Sequence, residues 1–165
     1  MKDYISSQLL TTSLNVETGH IKGDINELLF HKLKQKYEGV CNKDGYIQTG
    51  SLVIVSRSIG EVKTINNTSY IIYNITYRAN VLSPVKGIPL DIFVNSITKM
   101  GLIGYIKEDD SDTIEDSPFI IIVPKEYFVD DTFEKYSVND ELRVTIEASR
   151  IKYMAKNIQI VAKPI

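Results

Sequence analysis

The chain has 165 residues, a formal net charge of −2, a single cysteine and no tryptophan. This length suits one large domain or two small ones and allows a core that needs no disulfide. One cysteine excludes an internal disulfide and fits a reducing compartment, and the near-neutral charge argues against binding duplex DNA by charge alone. No stretch is typical of a signal peptide or a membrane-spanning helix, so we expect an intracellular protein with no membrane contact.

The first part of the chain predicts a strand, a helix and then short strands. The strand is predicted from Tyr4 to Val16. Asp24 is a good N-cap for the helix, and Glu27 three residues later completes a capping-box pattern. Gly39 is a natural end for this helix. The predicted apolar face of the helix consists of Ile25, Leu28, Leu29, Leu33 and Tyr37. The predicted short strands follow at residues 39–41, 46–47, 52–56 and 59–62.

A long alternating strand follows the polar turn Asn66–Ser69. From residue 71 every second residue is apolar, which indicates a strand buried on one face. Pro84 removes a ladder donor and Gly87 permits a change of direction, so the strand ends there and a second module begins. The residues predicted to face the core are Ile71, Tyr73, Ile75, Tyr77, Ala79 and Val81.

The second module reads as five strands with a helical turn at residues 125–128 after the third, which fits an OB-type barrel. The strands are predicted at residues 88–97, 101–106, 119–123, 142–148 and 157–162. Residues 108–117 are acidic and polar, which predicts a solvated loop. This loop is interpreted as a flexible insertion, with two alternatives: a docking loop for a basic partner, or a device that keeps RNA off one side.

Several motifs resemble the stalk subunit of multisubunit RNA polymerases, which is the seventh subunit of the eukaryotic nuclear enzyme and has an E-type counterpart in the archaeal one. Residues 77–79 followed by 84–87 resemble its K-Y-R-A strand and P-F-K-G turn, which open an OB domain of the ribosomal S-one type. Residues 38–41 resemble its E-G-x-C segment, residues 60–62 its G-x-I/V segment, and residues 138–144 its x-G-D-E-I-R-V segment.

This resemblance implies an α+β, mostly β fold with two modules. An N-terminal tip module at residues 1–83 would dock on the polymerase core, and a C-terminal OB domain at 84–165 would bind RNA. The implied partners are the large polymerase subunits, a helical fourth-subunit-type protein and nascent single-stranded RNA, bound weakly. The implied role is in transcription initiation and RNA exit. The candidate docking residues are Glu38, Gly39, Cys41, Gly60, Glu61 and Val62.

OB folds bind single strands through aromatic stacking and a cationic groove, which defines a candidate RNA site. Tyr105 is the candidate stacking ring, with a barrel-wall residue as the alternative interpretation. Phe93 is either core or platform. Leu102 occupies a place where the family often has an aromatic residue. The candidate RNA-binding residues are Lys99, Tyr105, Lys107, Arg150, Lys152, Tyr153 and Lys156.

No motif for catalysis is present. The chain lacks a G-x-S-x-G elbow and a phosphate-binding P-loop, and two histidines and one cysteine are too few for an ordinary zinc site. His31 is predicted on the surface and Cys41 as a buried, inert thiol. We therefore expect a non-enzyme without metal or cofactor.

Two other functions remain open: an S-one-type RNA-binding translation or decay factor, and an interaction protein that has lost RNA binding. Composition suggests a large DNA virus or an AT-rich eukaryote as the source. We therefore expect the nucleus for a cellular protein, and the virion or the host-cell replication site for a viral one.

Overall fold

A computed structural model describes residues 2–165, without the side chains of residues 130 and 131. The described residues are mostly β and fall into two compact units. We call Ser6–Glu38 with Ile47–Val81 the sheet unit. We call Gly39–Tyr46 with Leu82–Ile165 and the segment ending at Ile5 the barrel unit. The predicted α+β, mostly β fold class with an OB barrel is confirmed.

The sheet is organised around one long strand. Strand β5 (Thr68–Leu82) pairs with β1 (Ile5–Glu17), and β2 (Tyr46–Ile47), β3 (Val53–Arg57) and β4 (Glu61–Ile65) pair with successive parts of it. The predicted alternation along β5 is confirmed, because Tyr73, Ile75 and Tyr77 are buried whereas Asn74 and Arg78 are exposed. The predicted turn before β5 is shorter than expected. It consists of Asn66 and Asn67, which take positive φ and join the paired residues at positions 65 and 68.

Helix α1 (Ile25–Tyr37) packs on this sheet. The Asp24 carboxylate accepts a hydrogen bond from Asn26 N at 2.9 Å, so Asp24 is the N-cap as predicted. That bond goes to the second helical amide, whereas a capping box uses the third, Glu27. Of the predicted apolar face, Leu29 and Leu33 are fully buried and the others are partly buried. Gly39 has φ of +75° just after the helix, which confirms it as the stop.

The second half forms a closed barrel in the order β10-β8-β7-β6-β9. Strands β8 and β10 are parallel and the other neighbours are antiparallel. A short 3-10 helix, Lys125–Tyr127, follows the third strand of the barrel as predicted. The strands are β6 (Pro89–Thr98), β7 (Gly101–Tyr105), β8 (Phe119–Pro124), β9 (Glu141–Arg150) and β10 (Ile158–Pro164).

The core of the barrel includes side chains from the first half of the sequence. Tyr4, Cys41, Tyr46 and Leu82 belong to the same buried cluster as the barrel strands. The Tyr4 ring packs edge-on against Phe119, with 5.2 Å between ring centroids. The barrel is therefore completed by two short segments that the sequence analysis assigned to the first module.

The acidic loop at 108–117 is exposed for most of its length but is hydrogen-bonded within itself. Asp112 Oδ2 accepts from the backbone amides of Glu108 and Asp109 at 2.9 and 3.0 Å. The expectation of full solvation is wrong at its last residue, Ser117, which is only 3% exposed. Its hydroxyl accepts from the Ile106 amide and donates to a backbone carbonyl, which ties the loop to the barrel.

Candidate nucleic-acid and protein interfaces

One row of residues crosses all five barrel strands on the outer surface. The strand registers pair Phe93 with Tyr105, Tyr105 with Ile120, Ile120 with Gln159 and Gln159 with Arg150. Neighbouring strands are about 4.8 Å apart, so the row spans roughly 19 Å. We call these five residues the outer row. It links an aromatic pair at one end to a guanidinium at the other.

The side-chain ammonium of Lys107 lies over the aromatic end of the outer row. Lys107 Nζ lies 4.6 Å from the Phe93 ring centroid and 5.7 Å from that of Tyr105. The two rings are 6.2 Å apart. Tyr105 is only 5% exposed, whereas Phe93 is half-buried. Phe93 is therefore the more accessible ring of the pair, and the role of Tyr105 in stacking stays a prediction.

The loop between β9 and β10 carries the densest set of candidate residues. Within residues 148–160 the sequence has three cations and no carboxylate. The Tyr153 side chain is 68% exposed. A shallow cavity of about 220 Å³ lies beside Arg150, lined also by Ile122, Ala148, Ser149, Gln159, Ile160 and Val161. The candidate residues that the structure brings together here are Arg150, Lys152, Tyr153 and Lys156.

Cys41 fixes the conformation of this loop. Its backbone amide donates to Ala155 O and its carbonyl accepts from Met154 N, both at 2.8 Å. The thiol is 1% exposed, and burial raises the pKa of Cys41 from 9.0 to about 11. The thiol is therefore protonated at neutral pH, and the prediction of a buried thiol is confirmed. Its backbone contacts hold the exposed loop side chains in one arrangement.

Lys99 lies apart from the other candidates. It is exposed in the turn between β6 and β7, whereas Tyr105 and Lys107 are at the far end of that hairpin. Positions 101 and 105 of β7 are four residue steps apart, which corresponds to roughly 13 Å. Leu102 is fully buried and faces the barrel core, so its apolar character does not affect the outer surface.

The predicted docking residues divide into two sets. Glu38 Oε1 accepts from Leu52 N at 3.2 Å within the sheet unit, whereas Gly39 and Cys41 belong to the barrel unit. These three residues therefore have evident roles in local structure. The second set surrounds Gly60, which has φ of +103° and would place a Cβ 2.8 Å from side-chain atoms of Ile71 and Tyr73.

An exposed apolar edge continues from this second set. Ile59 is 96% exposed and Val62 is 66% exposed, beside the exposed Glu61. Strands β3 and β4 cover β5 almost continuously, because Ser58 bridges them through hydrogen bonds with Asn74. We call Val53, Val55, Ile59 and Val62 the edge patch. Sequence reasoning identified only Val62 of this patch, because the aliphatic run Val53–Val55 does not show an alternation that would separate exposed from buried positions.

The described residues show no grouping of three or more histidine, cysteine or acidic side chains suited to a metal ion. Within residues 2–165, no helix combines the length and apolar character needed to cross a bilayer. The geometry defines a fold class that combines an OB-type barrel and an open sheet in one chain.

The comparisons agree with this class. The chain matches no protein-family model. It is similar to "DNA-directed RNA polymerase II subunit rpb7" of Dictyostelium discoideum, with 24% identity over 152 residues, covering 86% of this chain and 85% of the relative. The predicted resemblance to the polymerase stalk subunit is thereby confirmed, because the similarity extends over most of this chain. The prediction that the chain is not itself an enzyme is confirmed by the same relationship.

Proposed function

We propose that this protein is the stalk subunit of a DNA-dependent RNA polymerase, where it acts in initiation and RNA exit. The observation that carries the proposal is the match to a polymerase subunit along 86% of the chain, in both units of the structure. In this proposal the edge patch docks on the polymerase core beside the clamp, and the barrel contacts nascent RNA.

The exposure of the edge patch supports the docking role. Its four aliphatic residues are each more than half exposed, and they lie along one sheet edge, with Val53 beside Arg78 on one face and Val62 beside Ile71 on the other. Large aliphatic side chains left exposed at an open sheet edge are suited to a protein contact, and burying one such side chain contributes about 1.5–3 kcal/mol. Ile59 lies next to Gly60 and is the most exposed residue of the edge patch. We expect its side chain to enter an apolar recess on the polymerase core.

Co-purification tests the docking role. The tagged full-length chain should return the large polymerase subunits from cells in which it is expressed with its own transcription machinery. The double substitution Ile59→Asp and Val62→Asp should reduce that recovery by at least about tenfold, because it places two charges in an apolar contact. Val138→Asp is the matched control, since Val138 is 54% exposed in the barrel unit. If the double variant recovers the large subunits as well as the wild type, the edge patch is not the contact.

The outer row and the β9–β10 loop support the RNA role. Phe93 and Tyr153 are accessible rings at two ends of a surface that also carries four cations within the described residues: Lys107, Arg150, Lys152 and Lys156. Stacking on a ring contributes about 1–3 kcal/mol per base, without sequence preference. Contact with three phosphates gives a log–log salt slope of about −2 on a single strand. We therefore expect weak, sequence-tolerant and moderately salt-dependent binding.

Fluorescence anisotropy with a labelled single-stranded RNA tests this role on the full-length chain. Tyr153→Ala and Lys152→Glu should each weaken binding several-fold, and Phe93→Ala should weaken it more than Tyr105→Ala. Lys125→Ala is the control, because Lys125 lies in the 3-10 helix after β8 and its ammonium rests over Phe133. Equal losses from the control and from Lys152→Glu would contradict the proposed surface. Absence of binding at low salt would favour the interaction-protein alternative.

We also infer that the chain works with a helical fourth-subunit-type partner, as the resemblance to the stalk subunit implies. Its location then follows the polymerase: the nucleus for a cellular enzyme, and the virion or the host-cell replication site for a viral one. Co-purification from the source would identify both, since it returns the partner together with the large subunits.

A further inference from the structure

A groove in the sheet unit lies between helix α1 and the edge of strand β1. Its volume is about 430 Å³. It is lined by Ser13, Leu14 and Asn15 of β1 and by Lys32, Gln35 and Lys36 of α1. The helix residues are spaced three and four apart, so they share one side of α1 and project over the same stretch of β1. The groove shares no lining residue with the edge patch or with the outer row.

The floor of this groove is an unpaired strand edge. Among the described residues β1 pairs with β5 only, although it is 13 residues long. A strand edge presents a row of backbone donors and acceptors that another extended chain can pair with. Leu9 on this strand is 60% exposed. One edge of β1 therefore has backbone donors and acceptors that no strand of the described sheet pairs with.

The wall of the groove is positively charged. In the part of the chain that the structure describes, neither Lys32 nor Lys36 has an ion pair with a carboxylate, and Gln35 between them is exposed. Ser13 and Asn15, on either side of the buried Leu14, are polar and uncharged, and their side chains lie on the sheet face opposite to that of Leu14. No aromatic side chain lines the groove, so it lacks the stacking surface that single-stranded nucleic acid prefers.

We propose that the β1–α1 groove binds an extended segment of a partner protein, which adds a strand to β1 and carries acidic residues at every second position. A strand laid on this edge points alternate side chains toward α1, where they meet Lys32 and Lys36. The side chains between them face away from the helix, on the side of Ser13 and Asn15, where no charge is required. The proposal is independent of the RNA contact and of core docking.

The test uses the full-length chain and a blocked, labelled peptide of about eight residues that alternates glutamate and valine. Anisotropy gives the affinity, and hydrogen exchange followed by mass spectrometry gives the location. We expect binding together with slower amide exchange in residues 6–15. We expect Lys32→Glu with Lys36→Glu to weaken binding by about tenfold or more. Lys63→Glu, on exposed strand β4, should change the affinity less than about twofold.

A second peptide separates strand pairing from charge attraction alone. Methylating every second amide nitrogen of the peptide removes donors without changing its charge. One of the two possible methylated sets should abolish binding, because only alternate amides face β1. Circular dichroism establishes that the lysine variants remain folded.

Four results would overturn the proposal. They are no binding at millimolar peptide, binding without protection of β1, equal binding of both methylated peptides, and equal binding of a peptide with lysine in place of glutamate. Displacement of the peptide from wild-type protein by a uridine oligonucleotide, lost in the double lysine variant, would assign the groove to nucleic acid instead. The RNA and co-purification results do not depend on any of these outcomes.

Discussion

The barrel unit and the sheet unit differ in whether their strand edges are paired: the barrel is closed and the sheet is open. All five barrel strands pair on both sides, so the barrel offers a partner only side chains and loops. In the sheet unit, the described residues leave the outer side of β1 and the line of β3 and β4 without a strand neighbour. A closed surface with cationic loops suits a flexible polyanion, whereas open edges with exposed aliphatic side chains suit protein partners.

The two units also differ in how local their cores are. The sheet unit buries one face of α1 against β5 and its neighbours, and its core comes from residues 14–79. The barrel core combines strands from the second half with four side chains from positions 4, 41, 46 and 82. The barrel therefore depends on distant parts of the chain, although its strands are consecutive in sequence.

Removing residues 1–83 should prevent the barrel from folding cooperatively. The truncation removes Tyr4, Cys41, Tyr46 and Leu82 from one buried cluster, and each large buried side chain contributes about 2–5 kcal/mol. Their sum matches or exceeds the stability of a typical domain. Urea denaturation followed by circular dichroism measures the effect. A sharp unfolding transition for residues 84–165 alone would show that the barrel does not need these segments.

Raising the pH should weaken the barrel through Cys41. The pKa of this thiol in the folded protein, about 11, is above its ordinary value of 9.0, so the thiol's contribution is complete below pH 9 and is lost as the pH rises through 11. Two pKa units correspond to about 2–3 kcal/mol.

The measurement is the difference in free energy of unfolding between the wild type and Cys41→Ala, determined in reductant at pH 8 and pH 11. The wild type should lose its advantage at the higher pH, because alanine does not titrate. A difference that stays constant across this range would contradict the account of a desolvated thiol.

Ser117→Ala should cost about 1–3 kcal/mol, because it leaves buried backbone groups of Ile106 and Phe119 without their partner. Replacing residues 108–116 with a short glycine linker should cost much less, since that part of the loop bonds mainly to itself. Thermal unfolding compares the two variants. If the deletion destabilises the protein more than the single substitution, the loop supports the barrel in a way that its contacts do not reveal.

Asp24→Ala should destabilise the sheet unit by about 0.5–2 kcal/mol through loss of the N-cap. Glu27→Ala is the matched control. It should have a smaller effect, because the cap bond goes to Asn26 and not to the third helical amide. Equal effects in urea denaturation would indicate that Glu27 takes part in capping as the sequence pattern suggested.

Local patterns predicted most of the fold. The alternation along β5, the cap at Asp24 and the stop at Gly39 depend on a few neighbouring residues, and the structure agrees with each. The contribution of positions 4 and 41 to the barrel depends on contacts more than 70 residues apart, such as Tyr4 with Phe119 and Cys41 with Met154, which periodicity does not encode.

The candidate sites were predictable to different degrees. The cations at 150–156 share one loop, so their sequence proximity indicated their spatial proximity. Which ring of the cross-strand pair Phe93 and Tyr105 is the more exposed was not predictable, because it depends on the register of β6 and β7. The edge patch was only partly predictable, because the sequence does not state which strand of a sheet remains uncovered.

The most direct test of the account measures both contacts on the same two variants. One variant carries Ile59→Asp and Val62→Asp in the sheet unit, and the other carries Lys152→Glu and Lys156→Glu in the barrel unit. Recovery of the large polymerase subunits and the affinity for single-stranded RNA are measured for each full-length protein. The account predicts that the first variant loses the polymerase and keeps its RNA affinity, whereas the second loses RNA affinity and keeps the polymerase. Two outcomes would contradict the division of contacts between the open sheet and the closed barrel. In the first, one correctly folded variant loses both properties. In the second, both variants keep both properties.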